Sequence, residues 1–451
     1  MKKLTSFHNL QIALLLLCAL PFVSMAQTEK EFYLRPSYWR AYDQKGINVF
    51  ETNKVADVIP FEGPRIRFGA GFTQQFQHLK HENKTALNNT TTARLYPLNG
   101  GFMTAQANLF TDVQLGDGIR LSLTTYLSAR HHNEAWVKGG YIQFDKVPFK
   151  GKFWDDFMKI ATIKIGHMEV NYGDAHFRRS DGGQTLYNPF MESYIMDAFA
   201  TEIGGEIYLQ KNGLFGMVGL TNGMIKGNVD STYKTDQDDN TKRSPSIYLK
   251  GGIDKMVSDN VRVRFSGSFY HNSSSAASGL TLYGGDRTGS NYQNVMEKAP
   301  AGGALPASTA IAFSGRFNPG FSKKVDALMF NGFLKAGGLE LFGTYETAKG
   351  RTKTETTDRK ASQYAADVIY RFGSSENLFM GVRYNGVTAR LAGFTDDVKL
   401  NRFAIAGGWF VTKNILMKGE YVVQQYKDFP TSDYRSGGKF NGYVIEAVVG
   451  F

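Results

Sequence analysis

The residues with the richest chemistry fall in one short stretch. Asp174-Ala175-His176-Phe177-Arg178-Arg179-Ser180-Asp181 brings two guanidinium groups, an imidazole and two carboxylates close together in sequence. That mixture is poorly arranged for making and breaking bonds. A nucleophilic enzyme needs a base beside its nucleophile, and a hydrolase that activates water needs paired carboxylates. No Gly-x-Ser-x-Gly elbow and no His-Glu-x-x-His helix occurs in the chain. His78, His81, His131, His132, His167, His176 and His271 are scattered, and two histidines at 78 and 81 are too few to define a metal site. The chain therefore reads as a non-enzyme without a cofactor. Two adjacent arginines beside a histidine can instead attract a small anion, provided that a wall narrows a passage around them.

The wall is written into the C-terminus. From Gly442 to Phe451 the residues Tyr443, Ile445, Ala447, Val449 and Phe451 share one face of a strand, and Gly442, Val444, Glu446, Val448 and Gly450 share the other. A terminal phenylalanine on such a strand resembles the signal that the assembly machinery of Gram-negative outer-membrane barrels reads, which predicts that machinery as a partner through Phe451. The N-terminus agrees on the compartment. Lys2 and Lys3 make a basic start, Ile12 to Leu20 an apolar core, and Ser24-Met25-Ala26 a small-residue cleavage site, so residues 1–26 read as a signal peptide. The single cysteine, Cys18, lies inside it and leaves the mature chain without thiol chemistry.

Beyond the leader no run approaches the roughly 20 apolar residues that a spanning helix needs. Strands of a closed barrel need only about 10 residues and show apolar side chains at alternate positions. A mean hydropathy of -0.31 is compatible with that. So are 49 Gly, 23 Tyr and 34 Phe with only 12 Pro, since tight hairpins use Gly and interfacial girdles use aromatics. The alternation recurs along the chain. Ile119, Leu121, Leu123 and Leu127 oppose Arg120, Ser122, Tyr126 and Arg130; Val261, Val263, Phe265 and Phe269 oppose Arg262, Arg264, Ser266 and Ser268; Leu339 to Thr347 places Glu340, Thr344 and Glu346 on its hidden face. About sixteen such runs fit between Arg65 and Phe451, or eighteen if residues 273–308 hide two more. The fold expected is all-β, a transmembrane antiparallel β-barrel over residues 61–451. Residues 27–60, with Trp39 and Arg40, form an N-terminal arm that packs at the periplasmic mouth or inside the lumen.

Connections divide into two kinds. Leu115-Gly116-Asp117-Gly118, Lys211-Asn212-Gly213 and Gly337-Gly338 are tight turns assigned to the periplasm. The polar segments 80–94, 226–244, 273–308 and 349–360 read as external loops facing lipopolysaccharide. Asn171 to Ala200 is different. It combines clustered charge with Phe190, Tyr194, Ile195, Met196 and Phe199, which would be wasted in water, and is expected to fold into the barrel with His176, Arg178 and Arg179 at a constriction. The alternative is that both arginines only pair with acids to hold the loop.

The run Gly101 to Phe144, a strand, a Gly-Asp-Gly turn, a strand, a charged link and a strand, is followed by Ile163-Lys164-Ile165-Gly166-His167-Met168-Glu169-Val170-Asn171-Tyr172-Gly173. Over roughly residues 100–220 this order resembles the phosphate-selective porin O and P family, where a Gly-led segment closes with Pro, aromatic, Gly. Gly166, Tyr172 and Gly173 keep the pattern, whereas Asn171 stands in place of proline and Glu169 in place of a frequent basic residue. The resemblance implies a sixteen-stranded barrel, commonly a homotrimer, that passes small anions through a lumen narrowed by an infolded loop.

Charge is consistent with an anion preference. The formal net charge is +11, of which Lys2 and Lys3 supply two. Strand parity turns Arg120, Arg130, Lys164, Arg262, Arg264, Arg383 and Arg402 inward, against Glu202, Glu206, Glu340, Glu346, Asp367, Glu420 and Glu446. A low-dielectric wall focuses such a field on passing ions, and nucleic acid is not an expected partner for an exported barrel. The function expected is an outer-membrane porin with a mild anion preference, phosphate included. The competing expectation is a closed barrel whose loops bind a partner.

Overall fold

The structure, a computed structural model, describes residues 39–84, 94–128, 136–180, 184–274, 282–299 and 314–451, apart from 52–53, 55–59, 104, 226, 230, 232, 235, 237–241 and 287–289. The leader, Arg130, and His131 and His132 lie outside the described residues. Alternating sequence produces antiparallel strands throughout: β1 (Arg65–Glu82), β2 (Gly101–Phe102), β3 (Gln106–Gly116), β4 (Ile119–Ser128), β5 (Trp136–Phe144), β6 (Ala161–Glu169), β7 (Thr201–Lys211), β8 (Leu214–Thr221) and β9 (Ser246–Ser258). The second half follows with β10 (Val261–Asn272), β11 (Lys324–Ala336), β12 (Leu339–Arg351), β13 (Arg359–Phe372), β14 (Leu378–Ala389), β15 (Val398–Thr412), β16 (Ile415–Lys427) and β17 (Lys439–Gly450). Each strand pairs with its neighbour in sequence, and β2 is a two-residue stub on the line of β3, so sixteen strands make the wall. Closure is made by β1, whose first half pairs with β3 from Arg65 to Thr73 and whose second half pairs with β17 from Gly71 to Glu82. At that seam Phe451 N donates to Ala70 O at 3.0 Å and Ala70 N donates to Phe451 O at 2.9 Å. Among the described strands no edge is left open, which is the condition for crossing hydrocarbon with strands.

The two ends differ in connection length. Tight turns join β7 to β8, β11 to β12 and β15 to β16 at one end. Between β7 and β8 both turn residues, Asn212 and Gly213, have positive φ of 53° and 77°, the geometry for which Asn-Gly is selected because it follows the twist of the strands. Long connections leave the opposite end. Residues 145–160, which carry helix α1 (Lys152–Phe157), are the exception at the tight-turn end. Among the described residues no helix is long and apolar enough to span a membrane.

Burial is inverted relative to a water-soluble sheet. Phe68, Phe265, Phe330, Ile405 and Ile445 are exposed on the outer face, while Glu202, Glu340, Glu346 and Glu446 are sealed inside. Near the long-loop end Tyr345 pairs with Tyr364, Tyr364 lies 5.9 Å from Tyr384, and Tyr384 pairs with Phe403. These rings form a continuous outer aromatic band of the kind that marks a lipid headgroup level. One segment departs from its sequence expectation. Residues 282–286 and 290–299 fold back into the barrel instead of standing outside, adding no strands; Tyr292 and Val295 are buried, and the Tyr292 hydroxyl finds Glu420 at 2.5 Å. Seryl and asparaginyl composition masked the apolar anchors between them.

Phe265 lies mid-strand on the outer face, so Phe265→Arg should cost about 2–4 kcal/mol of folding stability in a bilayer. Urea refolding into lipid vesicles measures this, and an unchanged midpoint would remove that face from contact with lipid.

Candidate functional site

The interior is organised by residues 170–180 and 184–200, which follow β6 at the long-loop end and lie within the barrel almost wholly buried. A buried irregular segment must satisfy its backbone without a sheet, and here wall side chains do so. Lys418 Nζ donates to the carbonyls of Thr185, Asn188 and Phe190 at 2.9, 2.9 and 3.0 Å. Asn385 accepts from Ile195 N at 2.6 Å, Glu420 from Met191 N at 2.9 Å, and Gln363 both accepts from Met196 N and donates to Met196 O. Phe190, Met191, Ile195 and Met196 fill the space between these bonds at 1% exposure or less.

Ion pairs fix the turns of the segment. Arg264 reaches Asp174 with two bonds of 2.8 and 2.7 Å, and Lys250 reaches the same carboxylate at 2.7 Å. Arg178 donates to Glu340 at 2.6 Å, and Arg179 forks onto Asp197 at 2.7 and 2.9 Å. Glu192 receives Arg316 at 2.6 Å, Ser290 Oγ at 2.9 Å and Asn291 N at 2.7 Å, tying the second infolded segment to the first. Burial would raise the carboxyls of Asp174 and Asp197. Lys250 and Arg264 overcome it at Asp174, as Arg179 and Arg316 do at Asp197, and both are held below their ordinary range.

The described part of the arm enters from the tight-turn end and meets this segment. Glu51 pairs with Lys250 at 2.8 Å and Arg264 at 2.6 Å, Asn48 donates to Glu340 at 2.7 Å, and Arg40 donates to Phe177 O at 2.8 Å. Three chain segments thus share the same buried carboxylates.

The arginines at 178 and 179 differ from their expected position at an open constriction. Both are buried against carboxylates, and Arg178 borders only a void of about 20 Å³, room for about one water. His176 sits between Asn171, at 2.7 Å, and the Glu169 carboxylate, at 3.4 Å. Arg120, Lys164, Arg262, Arg264, Arg383 and Arg402 all point to the interior. Arg262 and Arg264 bind Asp254, Arg383 binds Asp367 at 2.7 Å, and Arg402 donates to Ser193 O and Gly315 O. Among the described residues no group of three or more His, Cys, Asp or Glu is placed to hold a metal.

Because the infolded segments press against β9 to β16, space remains on the other side. A cavity of about 220 Å³ lies against β3 to β6, lined by Arg40, Asp112, Arg120, Ser122, Lys138, Tyr141 and Glu169. Lys164 lies 5.2 Å from the ring of Tyr141, one of the lining residues. Lys138 was not legible as an inward residue. A bulge between Thr124 and Thr125 in the β4–β5 ladder shifts the alternation there, and nothing in the sequence announces it.

No family model matches the chain, and no curated protein matches it. Among solved structures it is similar to an anion-selective porin from Comamonas acidovorans at 10% identity, with a TM-score of 0.51, over 86% of this chain and 100% of that one. It is also similar to the outer-membrane channel DcaP of Acinetobacter baumannii at 10% identity and a TM-score of 0.49, over 88% of this chain and 100% of that one. At such identity the first likeness shows the fold alone: a closed antiparallel barrel of the outer-membrane type.

Lys418→Met should free three carbonyls and strand Glu446, releasing residues 185–190 from the wall at a cost of about 3–5 kcal/mol. Limited proteolysis inside 171–200 and thermal unfolding in detergent read this out; an unchanged cleavage pattern would refute the clamp. The depressed carboxyls also set an acid limit. Their stabilisation is complete above the ordinary aspartate value of about 3.9 and is lost as pH falls through the lower folded values. Amide protection of the segment, corrected for the intrinsic pH dependence of exchange, should therefore fall at pH 3 relative to pH 5, whereas protection unchanged at pH 3 would contradict the pairing.

Proposed function

We propose that this chain is an outer-membrane porin, a passive diffusion channel for small hydrophilic solutes with a mild preference for anions. The observation that carries the reading is the eccentric space beside β3 to β6. Arg40, Arg120 and Lys138 line it, with Lys164 against the Tyr141 ring, opposed by Asp112 and Glu169 and by Asp286, which pairs with Lys138. A solute there is screened from bulk water and surrounded by a low-dielectric wall, so a small excess of cations has a large effect on anion entry. In this reading Arg178 and Arg179 hold the infolded segment that narrows the lumen, and selectivity belongs to the cations on the open side. Residues 1–26 direct export, the tight turns face the periplasm, the long loops meet lipopolysaccharide, Phe451 engages the assembly machinery, and the barrels associate as trimers.

Single-channel recording in a planar bilayer under a potassium chloride gradient tests the proposal. Wild type should conduct with a reversal potential on the anion side, and Lys138→Glu with Lys164→Glu should move it towards cations. The Arg178→Ala, Arg179→Ala pair should instead raise conductance and its fluctuation by loosening the segment. Added inorganic phosphate that reduces the chloride current would extend the preference to phosphate. A silent bilayer from a folded barrel would favour a closed barrel that binds through its loops, a reading to which the filled side of the interior also lends weight.

A further inference from the structure

The connection 145–160 has no counterpart among the other turns at its end of the barrel. It carries α1 and an aromatic cluster whose rings touch one another: Phe149 and Trp154 at 5.1 Å, Phe153 and Trp154 at 5.2 Å, Phe153 and Phe157 stacked at 5.9 Å. The helix makes no extensive contact with any strand. Phe153 is 68% exposed and Phe149 58% exposed. A helix of six residues is too short to persist on propensity alone, so a surface is required against which these rings are buried.

We infer that this strap is an interfacial anchor that seats its aromatic cluster in the phospholipid headgroup layer of the leaflet at the tight-turn end. The inference rests on the membrane reading above. Three observations select lipid as the occupant. The strap springs from an outward-facing pair of the wall, since Phe144, the last residue of β5, pairs with Ile163 of β6, which in turn pairs with the exposed Ile207, while Asp145 and Ala161 at its two ends are held from inside by Lys54. Phe149 and Phe153 follow that outward pair in sequence and are exposed beyond it. Lys150 and Lys152 flank Phe149 and Phe153 and are exposed, against Asp155, while Lys146 and Lys159 are engaged with Asp117 and Asp156. Exposed aromatics between lysines are the composition that a headgroup layer rewards, with rings at the acyl boundary and ammonium groups at the phosphates.

Trp154 provides the probe and Trp409 the control. Trp409 pairs with Leu378 and Met417, both exposed on the outer face, so it faces lipid if the barrel is inserted. The mature protein is reconstituted in phosphatidylethanolamine and phosphatidylglycerol vesicles with brominated acyl chains, and each tryptophan's emission is isolated by difference from W154F or W409F. Brominated lipid should quench Trp154 and Trp409 alike, with aqueous acrylamide weak on both; F149S/F153S should reverse the pattern at Trp154 only. Trp154 quenched by acrylamide and spared by lipid, while Trp409 is quenched by lipid, overturns the anchor and leaves the membrane barrel standing. Both spared by lipid overturns the two together.

Discussion

A backbone amide facing hydrocarbon has no water to bond, and the arrangement of this chain follows from that constraint. It forbids an open edge, which is why β1 is 18 residues long and shared between β3 and β17. Closure in turn assigns every second side chain to the inside, away from lipid. The outer positions are then free to be Phe, Ile and Val, and the inner ones must solve a different problem: where to put charge. An interior of that width lined only by apolar groups would have no reason to admit either water or an ordered chain.

The solution on one side of the barrel is to use the inner charges as a scaffold. Residues 170–180 and 184–200 belong to no strand, so Lys418, Asn385, Gln363, Glu420 and Arg402 replace the missing sheet bond by bond. Each of these would be costly alone in a buried site, and each becomes tolerable because a carbonyl, an amide or an opposite charge completes it. Sharing tightens the arrangement further. Glu340 is reached by Arg178 from the infolded segment, Arg371 from the wall and Asn48 from the arm. Loss of either arginine there leaves a buried carboxylate with a single cation and an unfilled acceptor, so the three segments are expected to order together.

Much of this was legible from the chain itself, because strand parity is a period of two and survives wherever the ladder is regular. The inward positions of Arg264, Arg383, Arg402, Glu340 and Glu446 follow from counting, and so does the exposed face ending at Phe451. The rest was hidden for identifiable reasons. A bulge removed Lys138 from its apparent face. The pairing of Arg178 with Glu340 spans 162 residues, and no local pattern encodes it. Residues 282–286 and 290–299 carry Tyr and Val among polar neighbours, and the burial of 290–292 is fixed by Glu192 and Glu420 on other segments. Family resemblance could suggest a loop inside the barrel; it could not say which wall the loop would choose.

That choice of wall decides what the interior can do. Every cation on β9 to β16 that binds a carboxylate or a loop carbonyl is neutralised at short range, so its field barely extends beyond its partner. Beside β3 to β6, Lys138 reaches Asp286 at 2.7 Å and also lies in the lining of the cavity, and Lys164 rests on the rings of Tyr141 and Tyr208 with a bond of 3.5 Å to the Tyr208 hydroxyl. A cation held by aromatic faces keeps most of its charge available to a solute, whereas one forked onto an aspartate does not. The net inward charge therefore says little about selectivity. What matters is the subset that lines open space, and Arg40, Arg120 and Lys138 do so on one side.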